Sequence, residues 1–411
     1  MASFLISDVR IFDGENVIEN GSVLVEDGRS STVSSTSVDF RGKSISKPGH
    51  TLIPGLIDAH VHIDFGNESG LAQGLRFGVT TQCDLGNAPF QIQRLREIVK
   101  EGDCSDIKAC VQSATPEGGW PSPLLKKQGI ELPPDENPLQ TPKQGHEFVR
   151  TQKSAGADYI KILHESGTAF GMELPTLPSD VEKAIIEEAH RSDLIVLAHA
   201  FTLDDALHML SLGIDGTAHA VLDRPPTDQL IEGYVTNNAF CIPTLAVIGS
   251  NTAEGQKTQK EFANDPRVQE LVASDGRQRL CQCIGMTNAS QGSLRNAIEL
   301  VKKLRHFGID VICGTDSTGL APGTAYGLSL HQELALFVKE CGFSPVEALR
   351  SATSIAAKRL NFRDRGLIRE GMRADLVLVE GDPTKNINCT LHLRGVWTDG
   401  TPCSHYKDSL G

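Results

Sequence analysis

The feature that most limits how this chain can fold is a repeated alternation of short β-rich runs with helical runs. Strand candidates are IDAHVHI (57–63), VTTQCDL (79–85), IKACVQS (107–113), YIKILHE (159–165), LIVLAHA (194–200), GTAHAV (216–221), AFCIPTLAV (239–247) and DVICGTD (310–316). Between them lie helical patterns such as QIQRLREIVKE, SDVEKAIIEEAHRS, TLDDALHMLSLG and GSLRNAIELVKKLRHFG. Strands separated by helices pair in parallel, because the crossover helix carries the chain back to the same end of the sheet. Eight such units predict an α/β fold, a (β/α)8 TIM barrel, whose chemistry sits at the C-terminal ends of its strands. A doubly wound open sheet is the competing arrangement, but no glycine-rich dinucleotide turn follows an early strand to support it.

The two ends of the chain carry a different pattern. FLISDVRIF and GSVLVEDG near the start, and LVLVEGDP and LHLRGVWTDGTP near the finish, read as short strands closed by turns. So few strands make no stable unit alone. They are expected to pair into a small composite β-sandwich, built from residues 1–52 and 363–411 and flanking a catalytic barrel of residues 53–362. The amphipathic helix PVEALRSATSIAAKRLNF closes the barrel segment. Two connections after strands are long: 114–150, with GGWPSPLLKKQGIELPPDENP, and 248–292, which is polar and expected to be helical. Long connections at that face shape a pocket or lid, or are plain surface insertions. Trp120 in the first is a candidate substrate contact.

Composition sets outer bounds. A formal charge of −13 argues against nucleic acid or an anionic membrane as a main partner. The 10 cysteines show no regular framework and are expected to be mostly reduced and buried, as in a cytoplasmic protein. The N-terminus lacks a basic segment leading into a long apolar run, so no signal peptide is expected. No stretch approaches the roughly 18 apolar residues of a membrane span.

The chemistry gathers at strand ends. In TLIPGLIDAHVHID, His60 and His62 share one face of the first strand, and two adjacent imidazoles on a rigid strand begin a divalent-metal site. On the fourth strand Ile160 and Ile162 suit the helix-facing side, which turns Lys161 into the barrel. A buried ammonium beside metal ions is strongly unfavourable, and carboxylation of the amine by CO₂ converts it into an anion able to bridge two cations. His199 ends the fifth strand, His219 lies on the sixth, and Asp316 ends the last, placed to bind metal and take a proton from water.

With these residues in view, the chain resembles the amidohydrolase superfamily, in its imidazolonepropionase-like and prolidase-like branch. The matching text is LIPGLIDAHVH, GVTT followed by Asp84, GADYIKI, AHA, GTD and HQELALFVKECGFSPVEALRSAT, then RGLIREGMRADLVLVEGDP and VWTDG. The resemblance implies that His60, His62 and Asp316 hold one divalent cation and His199 and His219 a second. Lys161, as N6-carboxylysine, would bridge them together with a hydroxide. Zinc is the metal expected first, with manganese, cobalt or iron tolerated by such donors. Asp316 and Lys161 would then be the catalytic residues of a hydrolase acting on an amide, ester or lactone of a small-molecule substrate. A decarboxylase or other lyase or isomerase on the same barrel, and a non-catalytic scaffold, are the alternatives. Such barrels are often dimers or larger, so a homo-oligomer is an expected option.

The text departs from the family at Thr217-Ala218-His219-Ala220, where relatives commonly carry Glu-His-Gly, and at His164-Glu165-Ser166-Gly167-Thr168. Three further residues are candidate substrate contacts, each with a plainer reading. His164 either contacts substrate or sits in its loop. Arg224 either binds a substrate carboxylate or makes a surface ion pair. His331 either lines the pocket or belongs to a helix.

Overall fold

The computed structural model describes residues 3–64, 67–127, 129–130 and 138–410. Part of the 114–150 connection therefore lies outside the described residues. The N-terminal strands are β1 (Phe4–Phe12), β2 (Val17–Glu26), β3 (Arg29–Ser34), β4 (Lys43–Ser46) and β5 (His50–Pro54). The barrel-type strands are β6 (Leu56–His62), β7 (Val79–Asp84), β8 (Asp106–Ala109), β9 (Ile160–Leu163), β10 (Val196–His199), β11 (Gly216–Ala218), β12 (Phe240–Ile242) and β13 (Ser317–Thr318). The chain ends with β14 (Leu376–Glu380), β15 (Leu393–Thr398) and β16 (Thr401–Pro402).

Strands β6 to β13 form two four-stranded parallel sheets, ordered β13-β6-β7-β8 and β12-β11-β10-β9. Single bridges join them at Ala114–Ile162 and Cys241–Val311. The result is a TIM-barrel-like α/β fold. The eighth stretch differs from expectation, since 310–316 forms no strand. Its amides are drawn elsewhere: Ile312 donates to the Cys241 carbonyl and Cys313 to that of Ser351, and regular pairing with β6 resumes only at Ser317–Thr318. The terminal strands form one hydrogen-bonded sheet, β16-β15-β14-β5-β1-β2-β3 with β4 on β1. It does unite the ends of the chain, because β14 pairs antiparallel with β5.

Alternation decides which side chains reach the interior. Ile160 and Ile162 pack outward with Val181 and Ile185 of the helix Ser179–Arg191. Tyr159 is buried in the inner cluster with Leu197, Ala218 and Phe240, and its hydroxyl donates to the Asp84 and Lys108 carbonyls. The helices form as their spacing requires. In Leu294–His306 the buried residues Ala297, Leu300, Val301 and Leu304 recur at helical intervals, and the Ser293 hydroxyl caps the Asn296 amide. The 248–292 connection is largely helical, with Gln256–Ala263 and Ser274–Leu280 following a helix at Leu245–Asn251. All ten cysteines are free, and eight are buried. Among the described residues no helix is long and apolar enough to cross a membrane.

Candidate active site

Six of the predicted residues meet at the C-terminal ends of the parallel strands. His60 Nε2 lies 3.3 Å from His62 Nε2, and Asp316 Oδ1 lies 3.2 Å from each of those nitrogens. Asp316 reaches this point from a left-handed backbone (φ 55°), fixed by its amide donating 2.7 Å to the His60 carbonyl. A non-glycine residue held there is strained, and such strain persists where surrounding structure enforces it. The His219 ring is 4.9 Å from that of His60 and 4.5 Å from that of His199.

The electrostatics suit a cation. Burial holds His60, His199 and His219 well below the usual imidazole range, with neighbouring positive groups adding to the effect. They therefore sit neutral, as ligands must. His62 runs the other way. Burial opposes its charge, but the hydrogen bond and charge of Asp316 outweigh that and raise it to about 9. Lys161 is 1% exposed, burial lowers its amine to about 8, and its Nζ has no hydrogen-bond partner among the described residues.

Family-type metals can be tested against these donors. Zinc at about 2.1 Å from each nitrogen or oxygen of a tetrahedral set places its ligand atoms roughly 3.3–3.4 Å apart. The His60, His62 and Asp316 atoms are separated by 3.2–3.3 Å. Three of the imidazoles also commit one nitrogen to a fixed partner, leaving the other for a cation. His62 Nδ1 meets the Gly86 carbonyl, His199 Nε2 meets Glu165 Oε2 at 3.0 Å, and His219 Nδ1 meets Thr244 Oγ1 at 2.7 Å. That outer support is how proteins orient metal-binding histidines. Lys161 Nζ, and the second ring nitrogen of His60, Nδ1, are buried polar atoms with no hydrogen-bond partner among the described residues. The donors fit divalent cations.

Of the candidate substrate contacts, Trp120 reaches this region. Its ring stacks on Phe170 at 4.9 Å and on His199 at 5.8 Å, while Phe201 stacks on His219 at 4.1 Å. The others do not. His164 follows the outward alternation of Ile160 and Ile162, and its Nδ1 meets Glu182 Oε1 at 2.7 Å among the helices. His331 is 2% exposed and held between the Thr390 hydroxyl and the Phe77 carbonyl, so it is a core residue. Arg224 is taken by Asp204 at 2.6 Å and Asp223 at 3.0 Å in a half-exposed ion pair.

Residues not foreseen complete the site. Glu165 is buried, and burial raises its carboxyl to about 8. Alternation from Lys161 through Leu163 would have pointed to it. Asp58, on the same face as His60, accepts from the His60 and Thr315 amides and the Thr315 hydroxyl, bracing the turn that carries Asp316. Thr244 and Phe201 lie in connections and gave no periodic signal.

The profile of the amidohydrolase family matches residues 51–403. The chain belongs to that family. It is a hydrolase of the kind that acts on carbon–nitrogen bonds. An imidazolonepropionase of Mycolicibacterium smegmatis is 23% identical over 370 residues, covering 89% of this chain and 85% of that one. A match to the imidazolonepropionase of Deinococcus deserti is 38% identical but confined to 103 residues, about a quarter of each chain. Among solved structures, a Xaa-Pro dipeptidase with bound methionine in its active site superposes with a TM-score of 0.77 at 20% identity, covering 98% of this chain and 99% of the other. The Aspergillus niger ochratoxinase gives 0.72 at 18% identity, with 98% and 95% covered.

Proposed function

We propose that this amidohydrolase cleaves an amide bond in a small, partly apolar molecule, using two divalent cations. His60, His62 and Asp316 would hold one, His199 and His219 the other, and Lys161 as N6-carboxylysine would join them. The observation that carries this reading is the buried Lys161 amine, which has no hydrogen-bond partner among the described residues and lies where its charge is felt by His60, His199 and His219. An ammonium there is costly. Reaction with CO₂ forms an N–C bond with loss of a proton and gives an anion with two donor oxygens.

Bound divalent cations supply polarisation of the scissile carbonyl and lower the pKa of water from about 15.7 toward 7. The chain's own residues do the rest. Asp316, fixed by its amide bond to the His60 carbonyl, would take the proton of the attacking water and hand it to the leaving nitrogen. Trp120, Phe170 and Phe201 form an aromatic wall beside His199 and His219, which supports an aryl or prolyl group on the substrate. The dipeptidase and ochratoxinase among the structural neighbours support the same direction.

The test is elemental analysis of native protein and of Lys161→Ala, together with hydrolysis of N-acyl amino acids, aryl amides and lactones. Native protein is expected to carry two cations per chain and the variant to lose metal and activity together. A variant with full metal content and full activity overturns the reading.

A further inference from the structure

Asp84 ends β7, next to the strand that carries His60 and His62, and it is fully buried. In the sheet it lies opposite Val61, the residue before His62. Its Oδ2 accepts the amide of Ile63, the residue after His62, at 2.8 Å. Its Oδ1 accepts the Gly86 amide at 3.0 Å, and the Gly86 carbonyl meets His62 Nδ1 at 3.0 Å. One carboxylate therefore grips both the strand that carries His62 and the loop that meets its ring.

A carbonyl oxygen only accepts hydrogen bonds, so His62 Nδ1 carries a proton, and Nε2, 3.2 Å from Asp316 Oδ1, is the nitrogen turned to a cation. Where the Gly86 carbonyl stands sets the aim of that ring. Gly86 has φ 152°, and a side-chain carbon on it would fall 2.3 Å from Ser113 Oγ, so the turn is built for glycine. A residue that free needs restraint from outside, and Asp84 supplies it. Asn87 braces the pair, its Nδ2 donating to Asp84 Oδ2 at 3.1 Å and to the Ile63 carbonyl at 2.8 Å. On the two-cation reading of the site, on which this rests, we propose that Asp84 is a positioning residue that fixes, through Gly86, the tautomer and aim of His62.

The plainer role for Asp84 is that of a turn stabiliser. A turn that needed only an acceptor would be served by a neutral side chain, without the cost of burying a carboxylate. Burial pushes the Asp84 carboxyl up, and His62 is the largest influence opposing that. The negative charge thus stands where a positive centre at His62 offsets its burial. His199 is backed by Glu165 directly, and His219 by Thr244, which follows on from the amides that Glu333 holds. Asp84 gives His62 the same kind of backing through one glycine.

The experiment measures Zn²⁺ affinity by competition with a chromophoric chelator in wild type, Asp84→Asn, Gly86→Ala and the double variant. Urea unfolding of the metal-free proteins is run alongside. Asparagine keeps the shape but turns one acceptor into a donor against an amide proton, so either Ile63 or Gly86 loses its hold. Each single variant is expected to weaken one binding step by about 10–100-fold, the usual loss for an outer partner. The double variant is expected to lose no more than the worse single one, because both act on the same carbonyl. Losses that multiply in the double variant would make Asp84 a structural residue acting apart from Gly86, and would overturn the proposal. So would an Asp84→Asn protein that is less stable in urea yet binds Zn²⁺ like wild type. Wild type that holds two cations alongside such a variant leaves the two-cation reading standing, whereas wild type that takes up none overturns both.

Discussion

Glu333 lies on the helix Leu328–Lys339, fully buried, and its two oxygens accept the Leu245 and Ala246 amides at 2.8 Å each. Those amides open the helix Leu245–Asn251, where a carboxylate is well placed against the helix dipole. The preceding residue, Thr244, is held in a left-handed conformation (φ 53°), and its hydroxyl meets His219 Nδ1. Glu333→Gln preserves shape but converts one acceptor into an NH₂ group facing an amide proton. One bond to a charged acceptor becomes neutral, and the other leaves a buried N–H unsatisfied. Burial raises the Glu333 carboxyl to about 8, so the charged-acceptor bonds are complete above that pH. There, with such bonds worth about 1.5–3 kcal/mol and an orphaned buried donor costing about 1–3, the loss should be about 2–4 kcal/mol. Urea unfolding of metal-free protein measures it. Release of Thr244 should also weaken metal binding, by about 10–100-fold for loss of an outer partner. Thr244→Val is expected to show the affinity loss with a smaller stability loss. A Glu333→Gln protein with wild-type stability and metal affinity would refute the chain of reasoning from Glu333 to His219.

His331 gives a pH prediction. Burial lowers its imidazole from 6.5 to about 4, so the folded protein keeps it neutral while the unfolded chain takes a proton below about 6.5. A base with a depressed folded pKa contributes no penalty above 6.5 and costs stability as pH falls toward 4, reaching about 3 kcal/mol for a shift of this size. Unfolding midpoints at pH 7.5 and pH 4.5 should therefore diverge less in His331→Gln than in wild type, and equal slopes would count against the burial argument. Trp120→Ala should lower kcat/KM roughly tenfold for substrates with an aryl or prolyl group, and much less for small acyl substrates, given about 1–1.5 kcal/mol for an aromatic pair. A uniform loss across the panel would place Trp120 in structural packing.

Much of this architecture was legible because alternation along a strand is rigid. His60 with His62, and Lys161 against Ile160 and Ile162, were assigned to faces by parity, and the structure places them there. The same parity put His164 on the helix-facing side, so its role as a substrate contact conflicted with the pattern that found Lys161. His331 was not legible for a different reason. Its helix is buried around most of its surface, from Leu328 to Phe337, so no single face marks the pocket. Arg224 lies beyond its strand end, where nearby carboxylates decide where a guanidinium goes. Glu333 meets residues 87 and 88 positions away, a contact no local pattern encodes. The irregular eighth stretch escaped for a related reason, since its amides are claimed by Cys241 and Ser351.

The strongest case for the candidate site is that local rules fail there together. Asp316 and Thr244 adopt left-handed backbones without being glycine, and among the described residues the buried Lys161 amine and one buried ring nitrogen of His60 have no hydrogen-bond partner. Each costs free energy that a core built only for stability would avoid. Tyr159 and His331 are just as buried, yet each has its polar atoms bonded. Around this centre one ring nitrogen each of His62, His199 and His219 is individually held by Gly86, Glu165 and Thr244. Imidazoles anchored on one nitrogen and presenting the other to a shared centre are what a site made to receive cations requires.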